Sequence, residues 1–266
     1  MIINGNIIKE VLIEELLPLA QATPKRVCFI QFGNSAASKK FVQIKMKTAE
    51  QLGIVADYIA SDAHTTDDAL LVVHKAVAQE YDGIVIQVPL PAAIDTDMLL
   101  NAIPIDMDID VLSMAAIEAF QQGRLKKIPP VAAAIETILK VHNISPAGKS
   151  IVIRGKGKLV GEPVMMLFDQ ADISYTALDI QTPHAEQVSL LQQADIIISG
   201  IGMPYSLTPN MIKDGTILID ASTSEQSGKL QGDIDPACAA KASLYTPVPG
   251  GVGPVTVACL YKNLFL

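Results

Sequence analysis

Short apolar runs alternate along this chain with longer segments whose apolar positions recur at helical spacing. VCFIQF (27–32) reads as a strand and leads into a helix over 37–52. GIVADYIA (53–60) is a second strand, DDALLVVHKAVAQE (67–80) a helix, and GIVIQVPLP (83–91) a strand stopped by two prolines. DMLLNAI (97–103) is helical again. FQQGRLKKIPP (120–130) turns polar, basic and proline-bearing, which fits a boundary, and VAAAIETILKVHNI (131–144) is a helix that could link two lobes.

The alternation then restarts. KSIVIRG (149–155), DISYTALD (172–179), DIIISGIG (195–202) and TILIDAS (216–222) read as strands. GEPVMMLFDQA (161–171) and AEQVSLLQQA (185–194) read as helices between them. The pattern predicts two three-layer α/β domains with mainly parallel sheets. Residues 1–120 form the first; residues 121–251 form the second, of the dinucleotide-binding Rossmann kind.

Composition narrows the chemistry. Half of the 266 residues are apolar, there is no Trp, and the formal net charge is −8. That balance argues against a broad nucleic-acid surface and favours small-molecule work. Cys28, Cys238 and Cys259 are widely spaced, as are His64, His74, His142 and His184, so no metal site is expected and reduced thiols in a cytoplasmic protein are. MIINGNIIKEVLIEELLPLA reads as an amphipathic helix rather than a signal peptide. No stretch approaches the ~18 uncharged apolar residues of a membrane span.

GKGKLVG (155–161) follows a strand and opens a helix, with glycines at Gly155, Gly157 and Gly161. Glycine permits a tight turn and close approach of backbone to a pyrophosphate, while the helix N-terminus offers free N–H groups. Asp179 closes the next strand, where an acidic group would bond a ribose 2′-hydroxyl and repel a 2′-phosphate. Lys156 and Lys158 pull the other way, since either could meet that phosphate. Asp179 tilts the choice toward NAD and leaves NADP open. The bland alternatives are an ordinary strand–helix turn and a turn-capping aspartate.

Four stretches together carry a family resemblance: GNSAASKKFVQIKMKTAEQLGI (33–54), DGIVIQVPLP (82–91), GKGKLVGEP (155–163) and TPVPGGVGPVTVACL (246–260). In order and spacing the chain resembles the bifunctional methylenetetrahydrofolate dehydrogenase/methenyltetrahydrofolate cyclohydrolase family. The resemblance implies a homodimer whose two domains flank a deep cleft, with folate on the first domain, which a C-terminal helix at 252–266 completes, and NADP, or here NAD, on the second. It implies oxidation of 5,10-methylenetetrahydrofolate to the methenyl form, then hydrolysis to 10-formyltetrahydrofolate.

It also implies roles. Lys45 matches the catalytic lysine, whose amine must take and return a proton. Gln87 matches the glutamine that holds that lysine and orients water. Asp110 matches the aspartate that accepts hydrogen bonds from the pterin edge, with Asp106 and Asp108 read as solvated neighbours. Phe41, Pro89, Leu90, Pro249, Gly250 and Gly251 would line the substrate. Gly155, Lys156, Gly157, Gly161, Asp179 and Gly253 would hold the cofactor.

Several positions depart from the family pattern. Phe41 stands where tyrosine is usual, keeping the stacking face and losing a hydroxyl. Hydride transfer, which needs ring alignment, is expected to survive that change better than hydrolysis, which needs a tuned acid/base. Met107 and Val111 replace a lysine and a glycine beside Asp110. PPVAAA (129–134), Gly157, Asp179-Ile180 and AST (221–223) depart in the cofactor half. The alternatives left open are one surviving activity, a silent folate- or nucleotide-binding paralogue, and a shikimate-type dehydrogenase.

Overall fold

The computed structural model describes residues 1–226 and 229–266. The chain divides into two compact units: Val11–Pro130 with Val257–Leu266, and Met1–Glu10 with Val131–Thr256. The expectation from sequence groups residues 1–120 with 252–266, so the two divisions differ at residues 1–10, 121–130 and 252–256.

In the Val11–Pro130 unit, β1 (Arg26–Phe32) is the middle strand of a three-stranded parallel sheet, flanked by β2 (Val55–Ser61) and β3 (Gly83–Ile86). Register runs Arg26↔Val55 to Phe32↔Ser61 on one side and Val27↔Gly83 to Ile30↔Ile86 on the other. Successive side chains of β1 point to opposite faces. Val27 and Phe29 join one apolar cluster, with Ile13 and Leu16 of α1 (Gly5–Ala22), Val42 and Leu52 of α2 (Ala36–Leu52), and Tyr261 of α9 (Val252–Lys262). Cys28, Ile30 and Phe32 join another, with Val73 of α3 (Thr66–Val77) and Leu99 and Leu100 of α4 (Thr96–Asn101). A sheet covered on both faces explains why VCFIQF is apolar throughout instead of alternating.

Two predicted strands shorten. Gly53 ends α2 with φ 69, so β2 begins at Val55. Strand β3 stops at Ile86, although Gln87 N–H still donates to Ile30 O at 2.8 Å. Pro89 and Pro91 carry no N–H for the ladder, and the chain leaves the sheet there. Helix α5 (Met114–Gln121) was not anticipated; Ser113 caps it by accepting from Ala116 N–H.

The other unit contains α6 (Pro130–Val141, from Val131), β4 (Ile151–Arg154), α7 (Gly161–Gln170), β5 (Thr176–Leu178) and α8 (His184–Gln193). It continues with β6 (Ile196–Ser199), β7 (Ile217–Asp220), the antiparallel pair β8 (Ser224–Gln226) and β9 (Lys229–Gln231), and β10 (Leu244–Tyr245). The five parallel strands lie in the order β10-β7-β6-β4-β5. The order reverses between β4 and β6, and ligands of such sheets bind outside the carboxyl ends of strands at that point. The first residues extend the β10 edge: Ile3 N–H donates to Tyr245 O and Tyr245 N–H to Met1 O, both at 2.9 Å.

Candidate active site

Helix α2 is capped by Ser35, whose hydroxyl accepts from Ser38 N–H at 3.2 Å. Its buried stripe includes Ser38, Val42, Ala49 and Leu52. Phe41 and Lys45 flank that stripe, four residues apart and half-buried. The Lys45 side chain is 15 % exposed. Its Nζ donates to Gln87 Oε1 at 3.2 Å and lies 4.0 Å from Asp110 Oδ2. Three segments far apart in sequence therefore converge.

Gln87 is buried just past the end of β3. Its Nε2 donates to Val88 O at 2.6 Å, which turns the amide oxygen toward the lysine. The Asp110 carboxylate is 22 % exposed and accepts no hydrogen bond among the described residues. Burial pushes its carboxyl above the usual carboxylate range, against the pull of Lys45. An acceptor left without donors suits a ligand that brings its own.

The loop bearing Asp110 is tightly held. Asp108, expected to be solvated, is instead buried; its Oδ2 accepts from Leu112 N–H and Ser113 N–H at 3.0 and 2.8 Å. The short turn satisfies a buried carboxylate with backbone donors. Asn263 donates through Nδ2 to Ile109 O and Ile128 O, at 2.8 and 2.9 Å, and accepts from Ile128 N–H. Lys127 is buried and donates to Asp106 O at 2.6 Å; burial pulls its ammonium below the ordinary lysine range. Val111, next to Asp110, has φ 55, a left-handed conformation that costs a β-branched residue on the order of 1–2 kcal/mol.

Helix α9 supports α2 directly: Tyr261, fully buried, donates from its hydroxyl to Lys45 O at 2.6 Å. Replacing Tyr261 by Phe is expected to lower stability by about 0.5–1.5 kcal/mol, read from the urea midpoint. Of the other substrate candidates in this unit, Leu90 is partly buried against the β1–α3–α4 cluster, and Pro89 is exposed.

In the other unit, the turn after β4 is built for close backbone packing. Gly155 has φ 96, and a Cβ on Gly161 would fall 1.9 Å from Gly155 O. Positions 157 and 253 are open, with nothing within 4 Å of an added Cβ, so neither glycine is sterically required. Lys156 and Asp179, which pull in opposite directions as sequence signals, form one ion pair at 2.6 Å. Lys156 and the Gln181 N–H hold the Asp179 carboxyl below the usual range. Ile180, the next residue, is 97 % exposed. In the Pro249–Gly251 loop, Gly250 has φ 101, and Gly251 N–H donates to Pro247 O at 2.7 Å.

Residues 3–110 match the family described as tetrahydrofolate dehydrogenase/cyclohydrolase, catalytic domain, and residues 129–266 match its NAD(P)-binding domain. The chain belongs to the tetrahydrofolate dehydrogenase/cyclohydrolase family. It is 34 % identical over 259 residues to the bifunctional protein FolD of Mycoplasmopsis synoviae (strain 53), covering 94 % of this chain and 92 % of that one. The solved bifunctional FolD enzyme of Campylobacter jejuni is similar at TM-score 0.90 and 28 % identity, over 100 % of this chain and 97 % of that one. The Trypanosoma brucei dehydrogenase-cyclohydrolase, solved with NADP and an inhibitor, is similar at TM-score 0.91 and 27 % identity, over 99 % and 95 %.

Two of the stretches where the chain departs from the expected family pattern have packing roles. In 129–134, Ala132 and Ala134 are fully buried. In 221–223, Ser222 donates from its hydroxyl to Asp233 Oδ1 at 2.7 Å. Asp220, buried behind it, is pushed up to about 6 by desolvation and the neighbouring Asp233, against the pull of the Ile234 N–H. Arg154, Asp220, Asp233 and Asn263 were not singled out from sequence. Arg154 offered the clearest signal, a charged residue closing an otherwise apolar strand.

Proposed function

We propose that Lys45, Gln87 and Asp110 carry the folate chemistry: oxidation of 5,10-methylenetetrahydrofolate with a nicotinamide dinucleotide, and hydrolysis of the methenyl product to 10-formyltetrahydrofolate. The observation that carries this is the convergence of the three side chains at 3.2 and 4.0 Å, with Asp110 short of donors. Asp110 accepts from the amino-pyrimidine edge of the pterin, and the Phe41 ring stacks beside it. Water adds to the cationic methenyl carbon, and the Lys45 amine takes one of its protons. The bond from that carbon to N5 then breaks, N5 keeps the electron pair and receives the proton back, and the second proton leaves to solvent. Gln87 orients the lysine through its amide oxygen.

The glycine turn fits the dinucleotide, because Gly155 and Gly161 leave backbone where side chains would otherwise stand. The turn and the start of α7 would hold the pyrophosphate, Asp179 the adenosine ribose, and Lys156, Gly157, Gly253 and the Pro249–Gly251 loop further parts. When bound, the dinucleotide supplies the hydride acceptor. Absorbance tests the whole reading. Methenyl-folate alone should lose its absorption, and methylene-folate with dinucleotide should yield reduced nicotinamide. Silence in both with folate binding intact would favour a binding protein without catalysis.

Between cofactors, the reading is NAD. Lys156 is already neutralised by Asp179, and a 2′-phosphate would have to displace that carboxylate. Asp179→Ser is expected to raise kcat/KM with NADP by about tenfold or more relative to NAD, measured side by side in steady state. Folate binding should depend on pH through Asp110. Its pKa lies above the ordinary carboxylate value, so the charged form is lost earlier as pH falls. Affinity for a folate analogue should therefore weaken as pH falls, starting at a higher pH than an ordinary carboxylate would set, and Asp110→Asn should flatten the profile.

The homodimer belongs to this reading. Strand β2 is a sheet edge with Val55 exposed, and Ile44 of α2 is exposed too. Buried Cys28, Cys238 and Cys259, none of them in a disulfide, suit a reducing, cytoplasmic setting.

A further inference from the structure

Beyond the glycine turn, the dinucleotide unit contains a buried polar network at the carboxyl ends of β4 and β6. Arg154, the last residue of β4, is 4 % exposed. Its Nη1 donates to Ser199 Oγ at 3.2 Å, and Ser199 is the last residue of β6. Its Nη2 donates to Ser206 Oγ at 3.3 Å. Ser199 Oγ donates onward to Asp233 Oδ2 at 2.7 Å. The same carboxylate, fully buried, accepts from Ser222 Oγ, from Ile201 N–H at 2.8 Å and from Met203 N–H at 2.7 Å.

A buried guanidinium is costly, and replacing a whole buried charge pair by apolar residues of similar volume is often neutral or stabilising. Stability alone therefore does not account for Arg154. What the network fixes is the segment that follows β6. Both carboxylate oxygens of Asp233 hold N–H groups of that segment. The segment in turn lies against the β4 turn: a Cβ on Gly155 would fall 2.8 Å from Ile201 Cγ2 and 3.1 Å from Gly200 O. Gly200 in turn abuts Val160, the residue before α7. Arg154 thus joins the two strands at the point where the sheet order reverses, beneath the two turns that flank it.

We propose that Arg154, Ser199 and Asp233 are positioning residues for the dinucleotide. Arg154 balances the Asp233 carboxylate through Ser199, and the charged carboxylate locks the Gly200–Met203 backbone against Gly155. The two turns then present one preset surface to the diphosphate and its riboses. This rests on the dinucleotide reading above.

The test is Arg154→Met, which keeps length and apolar stem while removing charge and donors. Amide hydrogen exchange at Ile201 and Met203, measured without ligand, should speed up by about tenfold. The Kd of NAD, measured by titration, should rise by about tenfold, the size of one lost hydrogen bond to a charged group. The KM for dinucleotide should rise likewise, with kcat at saturation kept within about threefold. Unchanged exchange at Ile201 and Met203 would overturn the relay. Faster exchange with unchanged NAD affinity would overturn its link to the cofactor. Wild-type protein that binds neither NAD nor NADP would overturn the dinucleotide reading instead. Should Arg154→Met fail to fold, Ser199→Ala removes the relaying oxygen alone, and the same two measurements decide in the same way.

Discussion

Lys45→Met is expected to lower hydrolysis of methenyl-folate by about 10²–10⁴-fold, the usual range for loss of a general acid/base. Methionine keeps the length and apolar stem of lysine, so the packing of α2 should survive. The amine that contacts Gln87 at 3.2 Å disappears, and with it the group that can move the proton to N5. Oxidation of methylene-folate should fall less, because ring alignment comes from Phe41 and Asp110. Rates followed by loss of methenyl absorption and by gain of reduced nicotinamide separate the two effects. An equal fall in both would mean that Lys45 serves binding alone.

Phe41 makes the same comparison informative in the other direction. It lies four residues before Lys45 on α2 and offers no hydroxyl. Phe41→Tyr should raise hydrolysis more than oxidation, and an unchanged hydrolysis rate would remove Phe41 from the account of proton transfer.

Gly161→Ala should abolish dinucleotide binding while leaving methenyl hydrolysis in place. The added Cβ would sit 1.9 Å from Gly155 O and 2.7 Å from its carbonyl carbon, both backbone atoms that cannot rotate away. The turn must open, and the N–H groups at the start of α7 move with it. Overpacking of this kind costs about 1–3 kcal/mol, and more where backbone must shift. Hydrolysis uses no dinucleotide, so its survival shows that the rest of the chain still folds. Gly157→Ala is the matched control, since its Cβ meets nothing within 4 Å. NAD titration of the two variants should give opposite results.

The architecture was legible because the buried parallel strands are short continuous apolar runs and the helices between them keep helical spacing. VCFIQF and DIIIS announce themselves in this way. Strand ends were less legible: GIVIQVPLP looked like one strand, yet the ladder stops at Ile86 and Gln87 is turned to the lysine. Lys45, Gln87 and Asp110 were found through the order and spacing of whole motifs. No local pattern links positions 45, 87 and 110, which meet only once the chain has folded.

The residues that escaped are single polar groups whose role depends on distant partners. Asp108 reads, with Asp106, as one of two solvated aspartates in IDMDID, but the carboxylate is buried and accepts from backbone N–H groups of the following turn. Asn263 sits in the C-terminal segment, 153 positions from Asp110, and holds the carbonyl before it. Asp233 looks like part of a GDIDP turn, and its four donors come from four separate residues. Tertiary hydrogen bonds of this kind have no sequence period to reveal them.

The central claim is that the pterin binds where Asp110 and Lys45 converge. A crystal structure with a bound folate analogue tests it most directly. The amino-pyrimidine edge should lie within hydrogen-bond distance of the Asp110 carboxylate, with the one-carbon position facing Lys45 Nζ. A pterin seated elsewhere, for instance in the cavity lined by Lys25, Tyr81, Arg124 and Lys127, would contradict it.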